Sequence, residues 1–170
     1  MITLKAKEIA TAYHRGQYRK SLPGQEPLPY IIHPAKVVYY LQKYGVDDES
    51  AQAIGWLHDT LEDTPLQYED LVQQFGKYVA DSVFILTRNT DNSSYKERIA
   101  KADYRVKMVK LADVLHNVKT LQLLTPRGLE QKIRDCEEFY VPLAEQICPA
   151  LAEDLRRYLM QYNQKYGRDN

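Results

Sequence analysis

The sequence predicts an all-α protein, a single helical domain over residues 1–170 packed around a central site. Apolar residues recur at helical spacing through most of the chain. No run of alternating apolar and polar residues is long enough to predict a strand. The 170 residues, 44% hydrophobic and 27% charged, fit one domain with one core.

The N-terminal half predicts five short helices. The first, residues 3–15, places Ala6, Ile9 and Ala10 on one face at a spacing of 3.6 residues. The others begin at a proline, a capping residue or an apolar segment. They are 34–44, opened by Pro34 and ended by Gly45; 49–62, capped by Asp47 or Asp48; a helix from Thr64-Pro65 to about Gly76, with Gln67 as in a capping box; and 78–87.

Residues 88–102 interrupt this helical pattern. Their polar stretch NTDNSS predicts a loop, basic at its ends, that could border a site. The rest of the chain predicts helix again, broken only by prolines and glycine. The predicted elements are a helix over about 103–124, a turn at Pro126-Arg127-Gly128, and a helical tail over 129–166 with a kink or start at Pro142 and a break at Pro149.

The charge balance excludes some functional classes. Lys plus Arg equals Asp plus Glu, 23 against 23, which argues against a non-specific nucleic-acid binder. A small anionic ligand needs only a local cluster of positive charge and stays compatible. The two cysteines suggest neither a disulfide framework nor a multi-cysteine zinc site. Without a signal peptide or a membrane-length apolar run, a cytoplasmic protein is expected.

Four residues in apolar helical stretches predict a divalent-metal site that hydrolyses phosphate esters. They are His33, His58, Asp59 and Asp113. Imidazole nitrogen and carboxylate oxygen together suit manganese, iron, zinc or magnesium. Any one of these histidines could equally be a structural residue. Four ionisable groups in apolar surroundings are harder to explain without a cation, because unpaired buried charge is costly.

A second acidic pair follows one helical turn later. Glu62 lies four residues after His58, and Asp63 lies four after Asp59, so both project from the same side of the predicted helix. Acids near a helix C-terminus oppose the helix dipole, which weakens a purely structural explanation. We expect Glu62 and Asp63 to orient the attacking water or to move protons.

The segment KLADVLHNVKTL predicts a ligand-binding face. Asp113, Asn117 and Thr120 are spaced by four and three residues, so Asn117, Lys119 and Thr120 could bind phosphate or ribose oxygens. His116 lies about 60° from that face, which favours a supporting or structural role.

The segment HRGQYRK supplies positive charge. Arg15, Arg19 and Lys20 form a basic cluster just before His33 that could bind phosphate, although a solvated basic loop is an equal alternative.

Three motifs resemble one known family. PYIIHP, HDTLEDT and KLADVLHNVKTL, in this order over about residues 8–147, resemble the HD-domain hydrolases of the RelA/SpoT type, which hydrolyse the alarmones ppGpp and pppGpp. The resemblance implies removal of the ribose 3′-pyrophosphate to give GDP or GTP. It also implies these roles: His33, His58, Asp59 and Asp113 hold one manganese ion; Glu62 and Asp63 act on water; Arg19 and Lys20 contact base and phosphates; Asn117, Lys119 and Thr120 line the sugar and phosphate pocket.

Three departures from the family pattern leave alternatives open. The short chain leaves no room for a synthetase or regulatory domain, so a stand-alone small alarmone hydrolase is expected. The segment 21–29 is longer than usual and could move Arg19 and Lys20, and Val114 replaces the usual arginine. The alternatives are a hydrolase of another nucleotide (ppApp, NADPH or a nucleotide monophosphate) and a non-catalytic nucleotide sensor. The tail 129–166 could pack within the chain or form a homo-oligomer face.

Overall fold

The computed structural model describes residues 1–89 and 91–166, and these form helices with no strand among them. The prediction of an all-α fold is confirmed. The helices are α1 Ile2–Tyr13, α2 Ile32–Lys43, α3 Glu49–Leu57, α4 Thr60–Asp63, α5 Tyr68–Phe75, α6 Lys77–Leu86, α7 Asn92–Lys101, α8 Tyr104–Val118, α9 Pro126–Asp135, α10 Val141–Ile147 and α11 Pro149–Tyr166. None of these helices combines the length and apolar character needed to cross a membrane.

Helices α2, α3 and α8 form the centre of the core. Helix α3 starts at the N-cap Asp48, whose carboxylate accepts from the Ala51 amide at 2.9 Å. Gly55 lets α3 approach α2 closely, because a Cβ at this position would lie 3.1 Å from both Val38 Cγ2 and Leu41 Cδ1. The close approach fixes the end of α3 relative to the start of α2, where the predicted metal-binding residues lie.

The prediction of one helix over 49–62 is wrong in one respect, because the structure has two helices there. Helix α3 ends at Leu57, and α4 begins at Thr60. Asp59 between them has φ −99° and ψ −4°, in the sparsely populated bridge region. The Thr60 hydroxyl donates to the Leu57 carbonyl at 2.7 Å, which satisfies one carbonyl at the end of α3. His58 and Asp59 lie in the turn between the two helices.

The helix predicted from Thr64-Pro65 begins later than expected. Helix α5 starts at Tyr68, and its capping box joins Gln67 to Asp70 rather than Thr64 to Gln67. The Thr64 hydroxyl instead donates to the Thr60 carbonyl at 2.6 Å, in the last turn of α4. The end at Gly76 is confirmed, and φ +83° there explains the glycine.

The loop predicted over 88–102 is wrong for most of its length, because Asn92–Lys101 form α7. The Asp91 carboxylate accepts from the Ser93 and Ser94 amides at 3.0 and 3.1 Å, so the polar stretch is a helix cap. Tyr95 and Ile99, four residues apart, are buried against the core.

The C-terminal region differs from its prediction at two points. Helix α8 ends at Val118, and a short 3-10 turn follows at Leu121–Leu123. Pro126-Arg127-Gly128 opens α9 instead of making a turn, because Thr125 caps the helix and Pro126 occupies its first position. A π-helical turn, Cys136–Tyr140, joins α9 to α10, and the breaks near Pro142 and Pro149 are confirmed.

Candidate metal centre

Three buried side chains from three helices meet at the centre of the fold. His33 comes from the first turn of α2, His58 from the end of α3, and Asp113 from the middle of α8. One ligand atom of each lies within 4.8 Å of the others. His33 Nε2 is 3.1 Å from Asp113 Oδ1 and 3.2 Å from His58 Nε2. These three residues could hold a metal ion.

Asp59 adds a fourth donor to the same point. Its Oδ2 lies 2.9 Å from His58 Nε2 and 3.4 Å from His33 Nε2. Adjacent residues in a continuous helix diverge by about 100°, so the break after α3 lets His58 and Asp59 face one centre. The donor set of two imidazole nitrogens and two carboxylates is one that divalent transition metals accept. The four groups predicted from the sequence are therefore brought together.

The outward nitrogens of the two imidazoles are fixed by hydrogen bonds. His58 Nδ1 lies 2.9 Å from the Gly55 carbonyl, and His33 Nδ1 lies 2.6 Å from His116 Nδ1. In both rings this directs Nε2 toward the centre, as in metal-bound histidines. The His116 and His33 rings are 20° from parallel with centroids 4.9 Å apart, and burial lowers the pKa of His116 to about 3, so it stays neutral. Its supporting role remains a prediction consistent with this geometry.

Without a metal, the charged groups of the cluster shift one another's pKa values strongly. Burial by itself lowers the pKa of His58, but the Asp59 and Asp113 carboxylates outweigh it and raise that pKa to about 9. Burial raises the pKa of Asp113, whereas Lys110 and the histidines outweigh it and hold the pKa well below its usual range. Lys110 Nζ donates to Asp113 Oδ2 at 2.8 Å, and both side chains are largely buried. A divalent cation would displace a proton here.

Glu62 and Asp63 border this cluster, one helical turn further on. The Arg88 amide donates to Glu62 Oε2 at 2.7 Å, and the Tyr30 hydroxyl lies 3.3 Å from Asp63 Oδ2. Burial and then the neighbouring Asp59 raise the pKa of Asp63, and burial is also the main cause of the raised pKa of Glu62. Carboxyl groups with raised pKa values exchange protons more readily near neutral pH.

A polar cavity of 190 Å³ surrounds the cluster, and several of its lining residues escaped the sequence analysis. Arg88, Lys110 and Lys132 place three cationic groups on it, while Tyr30 donates its hydroxyl to Asp59 Oδ2 at 2.6 Å. Lys110 could have been noticed three residues before Asp113 on one helix face. Arg88 is the basic end of the segment 88–102 expected to border a site, whereas Lys132 carries no local signal and reaches the cavity only through the packing of distant helices.

A second cavity, of 350 Å³, lies beside the first and is more apolar. Four of the five predicted substrate-binding residues line it, along with Tyr18, Leu121 and Leu124: they are Arg19, Lys20, Asn117 and Thr120. Lys119 does not line either of these two cavities; its amine donates to the Tyr40 hydroxyl and lies over the Tyr158 ring.

Asn117 connects the second cavity to the metal cluster. Its Nδ2 donates to Asp113 Oδ1 at 2.6 Å, and its Oδ1 accepts from Arg19 Nη2 at 2.9 Å. The long segment 21–29 does not carry Arg19 away, because the Arg19 amide donates to the Leu28 carbonyl at 2.8 Å and closes the segment at its base. Val114, at the position of the family's usual arginine, is buried.

Comparison with known proteins agrees with this architecture. The family model described as the HD domain matches residues 6–147. The chain belongs to the HD-domain family. The resemblance inferred from the motifs is thereby confirmed.

Named relatives of this HD-domain chain act on guanosine nucleotides. It is 37% identical over 155 residues to a guanosine-3′,5′-bis(diphosphate) 3′-pyrophosphohydrolase of Borreliella burgdorferi, covering 84% of this chain and 22% of that protein. It is 39% identical over 153 residues to a GTP pyrophosphokinase of Streptomyces coelicolor, covering 84% of this chain and 17% of that protein. The chain thus spans about a fifth of the length of these curated relatives.

A solved structure matches the HD-domain chain over nearly its whole length. It is that of a metazoan ortholog of SpoT that hydrolyzes ppGpp and plays a role in starvation responses. The TM-score is 0.81 at 27% sequence identity, and the match covers 95% of each chain. The helical arrangement described above is therefore shared with a protein of similar size.

Proposed function

We propose that this chain is a metal-dependent hydrolase that removes the 3′-pyrophosphate from ppGpp and pppGpp, giving GDP or GTP. The observation that carries the proposal is one continuous site with three parts. A cluster of two histidines and two aspartates adjoins an acidic pair with raised pKa values, and a basic cavity lies on the same centre. The full-length structural match to a ppGpp-hydrolysing protein supports the same activity.

His33, His58, Asp59 and Asp113 would hold the metal. When bound, a divalent metal supplies Lewis-acid polarisation of a phosphoryl oxygen and lowers the pKa of water. The donor set is compatible with manganese, iron or zinc. It suits magnesium less well, because two of the four donors are imidazoles and magnesium prefers oxygen ligands. Manganese is proposed on the family resemblance.

The acidic pair would manage the protons of the reaction. Water attacks the phosphorus that is bonded to the ribose 3′-oxygen, and the bond between that phosphorus and the 3′-oxygen breaks. Glu62 or Asp63 accepts the proton that the attacking water loses, and a proton is returned to the departing 3′-oxygen. The raised pKa values of both carboxyls suit this exchange near neutral pH.

The cationic groups would bind the charged parts of the substrate. Arg88, Lys110 and Lys132 line the polar cavity and would neutralise charge on the 3′-pyrophosphate group as its phosphorus is attacked. The larger cavity, with Arg19 and Lys20 beside apolar side chains, would take the base and the 5′-phosphates. Guanine preference, cytoplasmic location and homo-oligomer formation stay predictions.

The test is a substrate screen of the purified, manganese-loaded protein. We expect pyrophosphate release from ppGpp and pppGpp, with little product from ppApp or NADPH. Turnover of ppApp or NADPH instead would identify the protein as a hydrolase of another nucleotide. Metal binding with no turnover of any substrate would indicate a nucleotide sensor.

Two variants separate metal binding from proton transfer. Asp59→Ala should lose the metal, whereas Glu62→Gln should keep the metal and lose most turnover, about 100-fold or more. Metal content and turnover are measured on the same preparation. Full activity of Glu62→Gln would contradict the role assigned to this residue.

A further inference from the structure

The backbone between α6 and α7 contacts the acidic pair directly. The Arg88 amide donates to Glu62 Oε2 at 2.7 Å, while the Arg88 side chain lines the cavity around the metal cluster. One residue thus supplies both a hydrogen bond to a proposed proton acceptor and a cation to the substrate cavity. The position of this short segment therefore affects the acidic pair and the cavity together.

Arg98, in the second half of α7, holds this segment on both sides of Arg88. Its Nη2 donates to the Thr87 carbonyl at 2.6 Å, and its Nη1 donates to Asn89 Oδ1 at 2.9 Å. The guanidinium is planar and rigid, so one group restrains the Thr87 backbone and the Asn89 side chain together. The Arg88 amide lies between these two contacts.

The remainder of α7 anchors this contact to the core. The Tyr95 hydroxyl donates to the Leu86 carbonyl at 2.8 Å, one residue before the segment that Arg98 holds. In the first half of the helix, Lys96 Nζ and Asn92 Nδ2 donate to the buried Asp135 Oδ1 at 2.6 and 3.1 Å. Helix α7 is thereby tied to α9, and Arg98 reaches the segment from a fixed support.

The surroundings of Arg98 do not favour a purely stabilising role. Its Nε is buried and has no hydrogen-bond partner within residues 1–89 and 91–166. A buried donor without a partner costs free energy. The guanidinium is nevertheless placed over the Tyr95 ring at 5.5 Å, where both Nη groups reach the 87–89 segment. The guanidinium thus bonds to residues 87 and 89 even though its Nε is left without a hydrogen-bond partner among the described residues.

We propose that Arg98 is a positioning residue, which acts through residues 87–89 to hold the Arg88 amide on Glu62 and the Arg88 side chain in the cavity. The inference rests on the proposed hydrolase function. Arg98 does not line either cavity of the site, and it acts on the substrate only through the segment it holds.

The first test is a double-mutant cycle on turnover. Arg98→Met in the manganese-loaded protein should lower kcat on ppGpp by about 10- to 100-fold. In a Glu62→Gln background the same substitution should have a clearly smaller effect, because only the Arg88 side chain remains to be positioned. Arg98→Lys should behave like Arg98→Met, since one ammonium cannot replace the rigid two-pronged contact. Lys101→Met is the matched control, because its exposed amine pairs with Glu97 on the same helix.

The second test does not depend on activity. In the zinc-loaded, nitrogen-15-labelled protein, Glu62→Gln should shift the Arg88 amide proton resonance, because a charged acceptor is replaced by a neutral one. In the Arg98→Met background that shift should largely disappear, while Lys101→Met should leave it intact. This measurement applies even if ppGpp is not the substrate.

The outcomes separate the two proposals. A wild-type protein that binds metal but does not turn over ppGpp contradicts the proposed function, and the resonance test still decides the role of Arg98. An active wild-type protein contradicts the role of Arg98 in either of two cases. One is that Arg98→Met acts equally in both backgrounds. The other is that the Arg88 amide keeps its dependence on Glu62.

Discussion

The affinity of this site for a metal should depend steeply on pH, because a proton occupies it when the metal is absent. The Asp59 and Asp113 carboxylates raise the pKa of His58 to about 9 in the metal-free protein. Its Nδ1 faces the Gly55 carbonyl, so the exchangeable proton is the one on Nε2, which faces the cluster. A metal can bind this nitrogen only after the proton has left.

The size of the effect follows from that pKa. At about pH 7, two units below it, only about one His58 in a hundred has a free Nε2. The apparent dissociation constant for Mn²⁺ should therefore fall about tenfold for each unit of pH between about 6.5 and 8.5. Asp59 and Asp113 stay ionised over this range because their pKa values are lowered. Binding at about pH 7 should release about one proton per metal ion.

The assay is a titration with Mn²⁺, in which free ion is followed by electron paramagnetic resonance at a series of pH values. A metal-buffer blank over the same range corrects for the pH dependence of the free ion. Calorimetry in two buffers of different ionisation enthalpy counts the released protons. An affinity that is flat with pH, or binding without proton release, would refute the assignment of the proton to His58.

Three further predictions concern the site and its support. Lys119→Met should leave KM for ppGpp within about twofold of wild type, because the Lys119 amine lies against tyrosines outside both cavities. Lys20 lines the larger cavity, so Lys20→Met should raise KM in the same assay. Gly55→Ala should lower the free energy of unfolding in urea by about 1–3 kcal/mol, because the added Cβ would lie 3.1 Å from two side chains of α2, and an unchanged midpoint would count against this close packing. Lys110→Met should destabilise the metal-free protein by about 1–3 kcal/mol, since it removes the ammonium partner of the buried Asp113 and leaves that carboxylate with Asn117 and His33. Saturating metal should shrink that difference, and an equal loss with and without metal would contradict this account.

The parts of the site that the sequence predicted are those joined by short-range geometry. His58 and Asp59 lie in the turn that leads into α4, which holds Glu62 and Asp63, so their short separation along the chain keeps the two pairs close. Asp113 and Asn117 lie four residues apart on α8, and the structure keeps them on one face with a direct hydrogen bond of 2.6 Å. The all-α fold follows from the same spacing of apolar residues along the chain.

The errors fall where a local signal had two interpretations. The polar stretch before Tyr95 indicated a loop, yet its Asp91 caps a helix that begins at the next residue. Burial of Tyr95 and Ile99 makes this helix favourable. A capping residue and a loop residue have the same chemistry, so only the burial of the following side chains separates them. Likewise, a regular apolar pattern over 49–62 concealed the break at Asp59.

Several features of the site depend on tertiary structure alone. The packing of α6, α8 and α9 brings Arg88 and Lys132 to one cavity, although 44 residues of chain separate them and neither lies near a motif. The contact with Tyr158 on α11 directs Lys119 away from the cavities that its neighbours line. The sequence alone thus predicted which residues could hold a metal and move protons, because they are ionisable groups in apolar stretches and in the family's motifs. The tertiary structure decided which cations face them and how Glu62 is held, because those contacts join segments that are distant in the chain.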